Sequence, residues 1–300
     1  MDVGNVHDYR NCECRLLKFR ELGPSVYQLY HSSKGPLGVV LKEYRGANFA
    51  KRCKKEYDFL KELKHNHIVR CLGKPILMGD SAFFPMEWMT GGSLLTLYKS
   101  RKLKTSEARR YLRQILIAVE HCHNSGIIHG DIKCSNVFLE GNKCKLGDFG
   151  RAIKLPEGLN EPGGVGDIYS PRWRAPEVYL KDSTYGLPAD IYSIGCLTLE
   201  LLTRAAPFNT EPERLQYHND HQICEYIPSI PSTLPEGAKN FIRRCIERNP
   251  SKRPTVSELL MDEYVQDLDE ALDSVTSEGT GIAKLKPVGY HADCLVSIDL

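Results

Sequence analysis

Most features that would place a chain in a special class are missing from these 300 residues. No stretch approaches the run of about 20 apolar residues that spans a bilayer, and no apolar run near the N-terminus has the form of a signal peptide. Neither sign of charge dominates: 40 lysines and arginines stand against 38 aspartates and glutamates, a formal net charge of +2. A balance this close leaves no electrostatic footprint for nucleic acid or an anionic membrane, so neither partner is expected. Eleven cysteines are scattered from Cys12 to Cys294 without the spacing of a disulfide framework, so reduced thiols in the cytosol or nucleus are expected. Cys12-Glu13-Cys14 has no second cysteine pair nearby, which argues against zinc. His121 and His123 lack a third ligand and read as structural.

What is present is a core-forming composition, 41% hydrophobic, and one chemically dense stretch. His129 to Gly150 reads HGDIKCSNVFLEGNKCKLGDFG and gathers Asp131, Lys133 and Asn136 into one short turn before Asp148. Val137 to Leu139 and Lys143 to Leu146 read as two strands joined at Gly141-Asn142, a hairpin that folds Asp148 back toward Asn136. A carboxylate and an amide oxygen brought together suit Mg²⁺, which takes oxygen ligands and leaves positions for substrate phosphates. Asp131 is left to accept a proton. This stretch resembles the catalytic loop and Asp-Phe-Gly motif of the eukaryotic protein kinases.

The resemblance extends over residues 15–265 and implies an α+β, bilobal protein kinase-like fold. It comprises a small antiparallel-sheet N-lobe with one helix (15–88) and a larger, mainly helical C-lobe (89–265), with MgATP in the cleft between them. Residues 1–14 read as a loose N-terminal arm. Residues 266–300, acidic and rich in Ser, Thr and Gly without a helical period, read as a C-terminal tail. Three strand-like runs from Arg15 to Tyr44 form a meander. Where kinases carry a glycine-rich phosphate loop, Leu22 and Gly23 are followed by Ser25 and Gln28 in place of the second and third glycines.

Lys42 follows an apolar strand run, and the helix expected over Asn48 to Lys64 carries Phe49, Cys53, Leu60 and Leu63 as a stripe with Glu56 inside it. A carboxylate on a buried face needs a partner. The resemblance names Lys42, which would then hold the α- and β-phosphates. It also makes Met86 the gatekeeper and puts the backbone of Glu87 and Met89 on the adenine edge.

Thr105 to Asn124 has a strong amphipathic period stopped by Asn124-Ser125-Gly126. Leu187 to Thr203 is apolar nearly all round and is expected to be buried on every side, with Asp190 in its first turn bonding backbone donors. By resemblance, Asp190 supports the loop at His129 and Gly130. A further helix is expected over Glu236 to Arg248, and Thr255 and Glu258 form a capping box. Ala175-Pro176-Glu177 resembles the motif that closes a kinase activation segment, with Arg253 as the partner of Glu177.

Lys133, Ser170 and Pro171 indicate the serine/threonine type, and LKHNHIVRCLG, MEWMTGGSL and SPRWRAPEV resemble the MAP kinase kinase kinase branch. The resemblance implies transfer of the ATP γ-phosphate to Ser or Thr of protein substrates, under upstream regulators. Asp131 would be the base, Lys133 would steady the γ-phosphate, and Asn136 and Asp148 would be the Mg²⁺ ligands. Gly130 stands where the family usually has an arginine that receives an activating phosphate, so phosphorylation at Tyr169 or Ser170 is not expected to be the main on-switch. The alternative function is that of a pseudokinase, a scaffold or allosteric partner. The complete set Lys42, Glu56, Asp131, Lys133, Asn136 and Asp148 favours the enzyme.

Overall fold

A computed structural model describes residues 14–18, 25–31, 35–155, 171–179, 185–209 and 227–266. The N-terminal arm up to residue 13, Leu22 and Gly23, the glycine-rich segment with Tyr169 and Ser170, and the tail from residue 267 lie outside these residues. The described residues fall into two units, one of residues 14–62 with 69–90 and one of residues 63–68 with 91–266.

In the first unit, β1 (Cys14–Lys18), β2 (Val26–His31), β3 (Gly35–Arg45), β4 (Ile76–Met78) and β5 (Ser81–Glu87) make one sheet in the order β1-β2-β3-β5-β4. All its neighbouring strands are antiparallel. The period of two decides which residues meet: Val39 and Leu41 join Phe83 in a small core on one face. Val40, Lys42 and Tyr44 therefore point to the other face. That face is covered by α1 (Phe49–Glu62), whose buried side carries Cys53, Glu56 and Leu60; Tyr57 of α1 meets Phe84 edge-on at 6.1 Å. The helix is shorter than the expected Asn48 to Lys64. Asn48 sits at φ 56°, a left-handed conformation that cannot begin a helix.

The second unit is mainly helical. Short α2 (Leu94–Ser100) starts from a capping box of Ser93 and Thr96. Next, α3 (Thr105–Asn124) has the expected limits, buries Tyr111, Leu112, Ile115 and Val119, and ends at Gly126, φ 67°. The two-residue β6 (Ile127–Ile128) precedes the hairpin of β7 (Val137–Glu140) and β8 (Lys143–Leu146), and pairs with β9 (Ile153–Lys154).

Helix α4 (Pro188–Thr203) is the centre of this unit, with every residue from Ala189 to Leu201 buried. Fully burying one Leu or Ile side chain contributes about 1.5–3 kcal/mol, so α4 is fixed by its surroundings rather than by one amphipathic face. Against it packs α5 (Glu236–Cys245), so closely that a Cβ on Gly195 would stand 2.7 Å from atoms of Cys245 and Ile246. Only glycine fits this contact. The sequence pattern extends α5 to Arg248, but its end at Cys245 reflects the following 3₁₀ turn Pro250–Lys252, for which Asn249 is the cap. Thr255 caps α6 (Val256–Leu260) with Glu258, the expected capping box, and α7 (Glu263–Gln266) follows. Among the described residues, no helix is long and apolar enough to cross a membrane. Seven free cysteines are described; all but the half-buried Cys71 are buried.

Candidate active site

In the first unit, the alternation of β3 and the stripe of α1 converge on one ion pair. Lys42 Nζ donates to both carboxylate oxygens of Glu56, at 2.9 and 3.1 Å. The Glu56 side chain is fully buried and that of Lys42 is 19% exposed, so the carboxylate is held in the core by its partner. The Tyr44 ring lies 5.4 Å from Lys42 Nζ. At the end of β5, Met86, Glu87 and Met89 are buried. Glu87 exchanges bonds with Arg70 through its amide (3.1 Å) and its side chain (2.7 Å), and Trp88 N–H donates to Gly38 O at 2.9 Å. Those bonds fix the strand end. Gln28, at the position of a third loop glycine, is a buried β2 residue paired with Val40.

In the second unit, the loop from His129 to Asn136 is held from α4. Asp190 Oδ2 accepts from His129 N–H at 2.8 Å and Oδ1 from Gly130 N–H at 2.9 Å, the expected backbone bonds. His123 Nε2 lies 3.0 Å from the same Oδ2. Burial pushes Asp190 upward, but His123, His129 and the Gly130 amide together outweigh it and hold the carboxyl below its ordinary value. The structural reading of His123 acquires a specific partner here. His121 instead stacks on His65, with centroids 4.9 Å apart.

Gly130 has φ 74°, and a Cβ there would meet Arg151 O at 3.2 Å, so the residue that replaces the family arginine also suits the backbone. The buried His129 ring bridges two chain segments: its Nδ1 accepts from Asp131 N–H (3.2 Å) and its Nε2 faces Gly147 O (3.1 Å). Phe149 packs edge-on against the ring at 4.6 Å.

The Asp131 carboxylate is asymmetric. Its Oδ2 accepts from Lys133 Nζ and Asn136 Nδ2, each at 2.9 Å, with Arg151 Nε 3.9 Å away. Among the described residues, its Oδ1 is buried and has no hydrogen-bond partner. Leaving a buried acceptor unsatisfied costs about 1–3 kcal/mol, so this oxygen is a place where a donor from outside the protein is favoured. Asn136 Nδ2 also bonds Asp131 O at 2.8 Å, which commits the amide nitrogen and turns the amide oxygen the other way.

Gly147 N–H donates to Asn136 O at 2.9 Å, so the hairpin does bring the residue before Asp148 back to Asn136. Asp148 itself takes the left-handed conformation, φ 62° and ψ 68°, which Asp tolerates better than most residues. Asn136 and Asp148 offer an amide and a carboxylate oxygen, hard donors of the kind Mg²⁺ takes, and among the described residues no group of three or more His, Cys, Asp or Glu could hold a metal alone.

The segment beyond is anchored to the same helix. Arg253 donates to Glu177 through Nη1 (2.6 Å) and Nη2 (2.8 Å), and also reaches Pro188 O (2.9 Å) and Glu247 O (2.7 Å). The expected pair is thus bidentate, the strong form of a carboxylate contact. Sequence reasoning missed Arg151 beside Asp131, and it missed Glu200, a buried acid of α4 bonded to Tyr98, Cys134 and Trp173. A lone glutamate within an apolar run was the available signal for the latter.

A family profile described as the protein kinase domain matches residues 24–265. Mitogen-activated protein kinase kinase kinase 1 of Arabidopsis thaliana is 39% identical over 236 residues, 76% of this chain and 36% of its own. The related kinase ANP1 of the same plant is 34% identical over 252 residues, 80% of this chain and 38% of its own. Hormonally up-regulated neu tumor-associated kinase of Mus musculus is 33% identical over 221 residues, 72% of this chain and 30% of its own. The chain therefore spans about a third of the length of these curated relatives. With a match that runs from before β2 to the end of the last helices, this chain belongs to the protein kinase domain family and resembles its MAP kinase kinase kinase branch.

Proposed function

We propose that this chain transfers the γ-phosphate of ATP to serine and threonine hydroxyls of protein substrates within a signalling cascade. The kinase domain would be residues 15–265, with an N-lobe at 15–88 and a C-lobe at 89–265, flanked by an arm at 1–14 and a tail at 266–300. The observation that carries the reading is the unpartnered, buried Oδ1 of Asp131 beside a fully bonded Oδ2.

Each residue then has one task. The acceptor hydroxyl donates to Asp131 Oδ1 and gives it the proton as its oxygen bonds the γ-phosphorus. The bond from that phosphorus to the β–γ bridging oxygen breaks, and ADP leaves with the electron pair. Lys133 Nζ, already beside Asp131, steadies the γ-phosphate. Lys42, held by Glu56, takes the α- and β-phosphates, while Leu22 and Gly23 cover the nucleotide and Met86, Glu87 and Met89 receive the adenine. Asn136 and Asp148 hold Mg²⁺, which supplies neutralisation of phosphate charge when bound. Most of the catalysis is positioning and electrostatics.

The test is radiolabelled phosphotransfer from ATP to a generic Ser/Thr protein, with and without Mg²⁺, by wild type and Asp131→Asn. The variant is expected to lose about 10² to 10⁴ in turnover, the usual worth of a positioned general base, with nucleotide affinity retained. Equal turnover in both proteins refutes the role of Asp131. Nucleotide binding without any transfer by wild type would establish the scaffold alternative.

A further inference from the structure

Tyr44, near the end of β3, is 5% exposed, yet among the described residues its buried hydroxyl has no hydrogen-bond partner. The contacts of this side chain are made by its ring. Lys42 Nζ lies 5.4 Å from the ring centroid and Arg52 Cζ 5.5 Å from it. At such distances the quadrupole of an aromatic ring attracts a positive charge. Arg52 also donates from Nη1 to Arg45 O at 3.2 Å, so one guanidinium of α1 grips two consecutive residues of β3.

The spacing turns these contacts into a register. Gly46, Ala47 and Asn48 alone separate β3 from α1, with Gly46 at φ 77° and Asn48 at φ 56°. Arg52 N–H donates to Asn48 O at 3.0 Å, which places Arg52 in the first turn after that reversal. Arg52 and Glu56 are four residues apart on one side of α1, and Tyr44 and Lys42 are two apart on one face of β3. Four helical residues advance about 6 Å and two strand residues about 6.6 Å. Arg52 on Tyr44 and Glu56 on Lys42 therefore match as neighbouring rungs, one at the rim and one in the core. The Tyr44 ring belongs to both, since the Lys42 ammonium also lies over it. A slip of α1 by one residue would turn Glu56 about 100° around the helix axis, and the outer rung opposes that slip.

We propose that Tyr44 is a positioning residue that, with Arg52, sets the register of α1 on β3 so that Glu56 stands on Lys42. It acts through Lys42 and does not touch the reacting atoms. The effect on turnover rests on the phosphotransfer reading, but the register itself can be read without it.

The experiment compares wild type with Tyr44→Phe, Tyr44→Leu, Arg52→Gln and the double variant Tyr44→Leu/Arg52→Gln in the full chain. Hydrogen exchange over residues 49–56 and steady-state kinetics below the melting range are both measured. Tyr44→Phe keeps the ring and gives up only a hydroxyl without a partner, so it should match wild type in both readouts. Tyr44→Leu and Arg52→Gln should each speed exchange and lower kcat about five- to tenfold, the scale of one cation–π contact. KM for the protein substrate should stay unchanged. Because the two side chains share a contact, the double variant should be no worse than Tyr44→Leu alone. Arg52 is exposed, so if Tyr44→Leu fails to fold, Arg52→Gln decides the matter. A lower melting temperature with exchange and kcat unchanged would reduce the ring to packing and overturn the proposal. Multiplication of the two single effects in the double variant, or a Tyr44→Phe as slow as Tyr44→Leu, also overturns it. Absence of phosphotransfer by wild type removes the effect on turnover only, because exchange still reports the register.

Discussion

Two acids are buried near opposite ends of α4, and both hold the same loop by its amides, yet their protonation is pulled in opposite directions. Asp190 bonds His129, Gly130 and His123, and its carboxyl lies below the ordinary range despite complete burial. Burial pushes Glu200 upward, and the Cys134 amide, the Tyr98 hydroxyl and the Trp173 indole do not bring it back. Neutral donors alone do not offset the loss of water around a carboxylate. A second titratable ring and two converging amides do. The loop therefore hangs from two buried acids, one whose hold on its proton is weakened at the Asp131 side and one whose hold is strengthened at the Asn136 side.

The sharpest way to break the contrast is Asp190→Ala. It leaves the His129 and Gly130 amides and the His123 ring unbonded in the core, and should cost about 3–5 kcal/mol, as removing one member of a buried pair does; urea unfolding measures it. A loss under about 1 kcal/mol would mean that the loop is held elsewhere. Gly130→Ala, next in size, keeps every bond of the anchor but places a Cβ at φ 74° near Arg151 O. About 1–2 kcal/mol of strain is expected, seen as a lower denaturation midpoint with unchanged slope.

His123→Gln tests why the first anchor stays charged. A folded carboxyl held low contributes stability that is present above its unfolded pKa and is lost as pH falls through the folded value. Without the ring, that loss should begin at higher pH. An unmoved acid limb would assign the effect to the two amides. The smallest effect belongs to Glu200→Gln. A carboxyl whose folded pKa is raised binds its proton more tightly in the folded state, so stability declines as pH rises from the ordinary carboxyl value through the raised one. The variant should lack that decline. A decline of the same size in both proteins would mean that another group causes it.

Local signals made much of the fold legible in advance. The apolar period and the Asn-Ser-Gly stop of α3 are contained in the helix itself, the Gly141-Asn142 hairpin in its own turn, and the α6 cap in Thr255 and Glu258. Glu56 was legible as a charge on an apolar stripe that demands a partner, and the family resemblance named Lys42 as that partner. Contacts between distant segments were not. Nothing near His123 names Asp190, and nothing near Trp173 or Cys134 names Glu200, because those bonds exist only once α4 is buried among its neighbours. Helix ends were legible to within a few residues, since Asn48 and the turn at Pro250 decide them through backbone conformation that residue type only biases.

The six buried thiols among the described residues also give the protein a built-in clock for its own opening. Burial pushes Cys53 up to about 11 and raises Cys122, Cys134, Cys144, Cys196 and Cys245 as well. At neutral pH these groups are neither exposed nor ionised, so an alkylating reagent must wait for the chain around each to open. Cys53 keeps time for the sheet-bearing unit and the other five for the helical one. Labelling read cysteine by cysteine would separate two sequential openings from a single cooperative one.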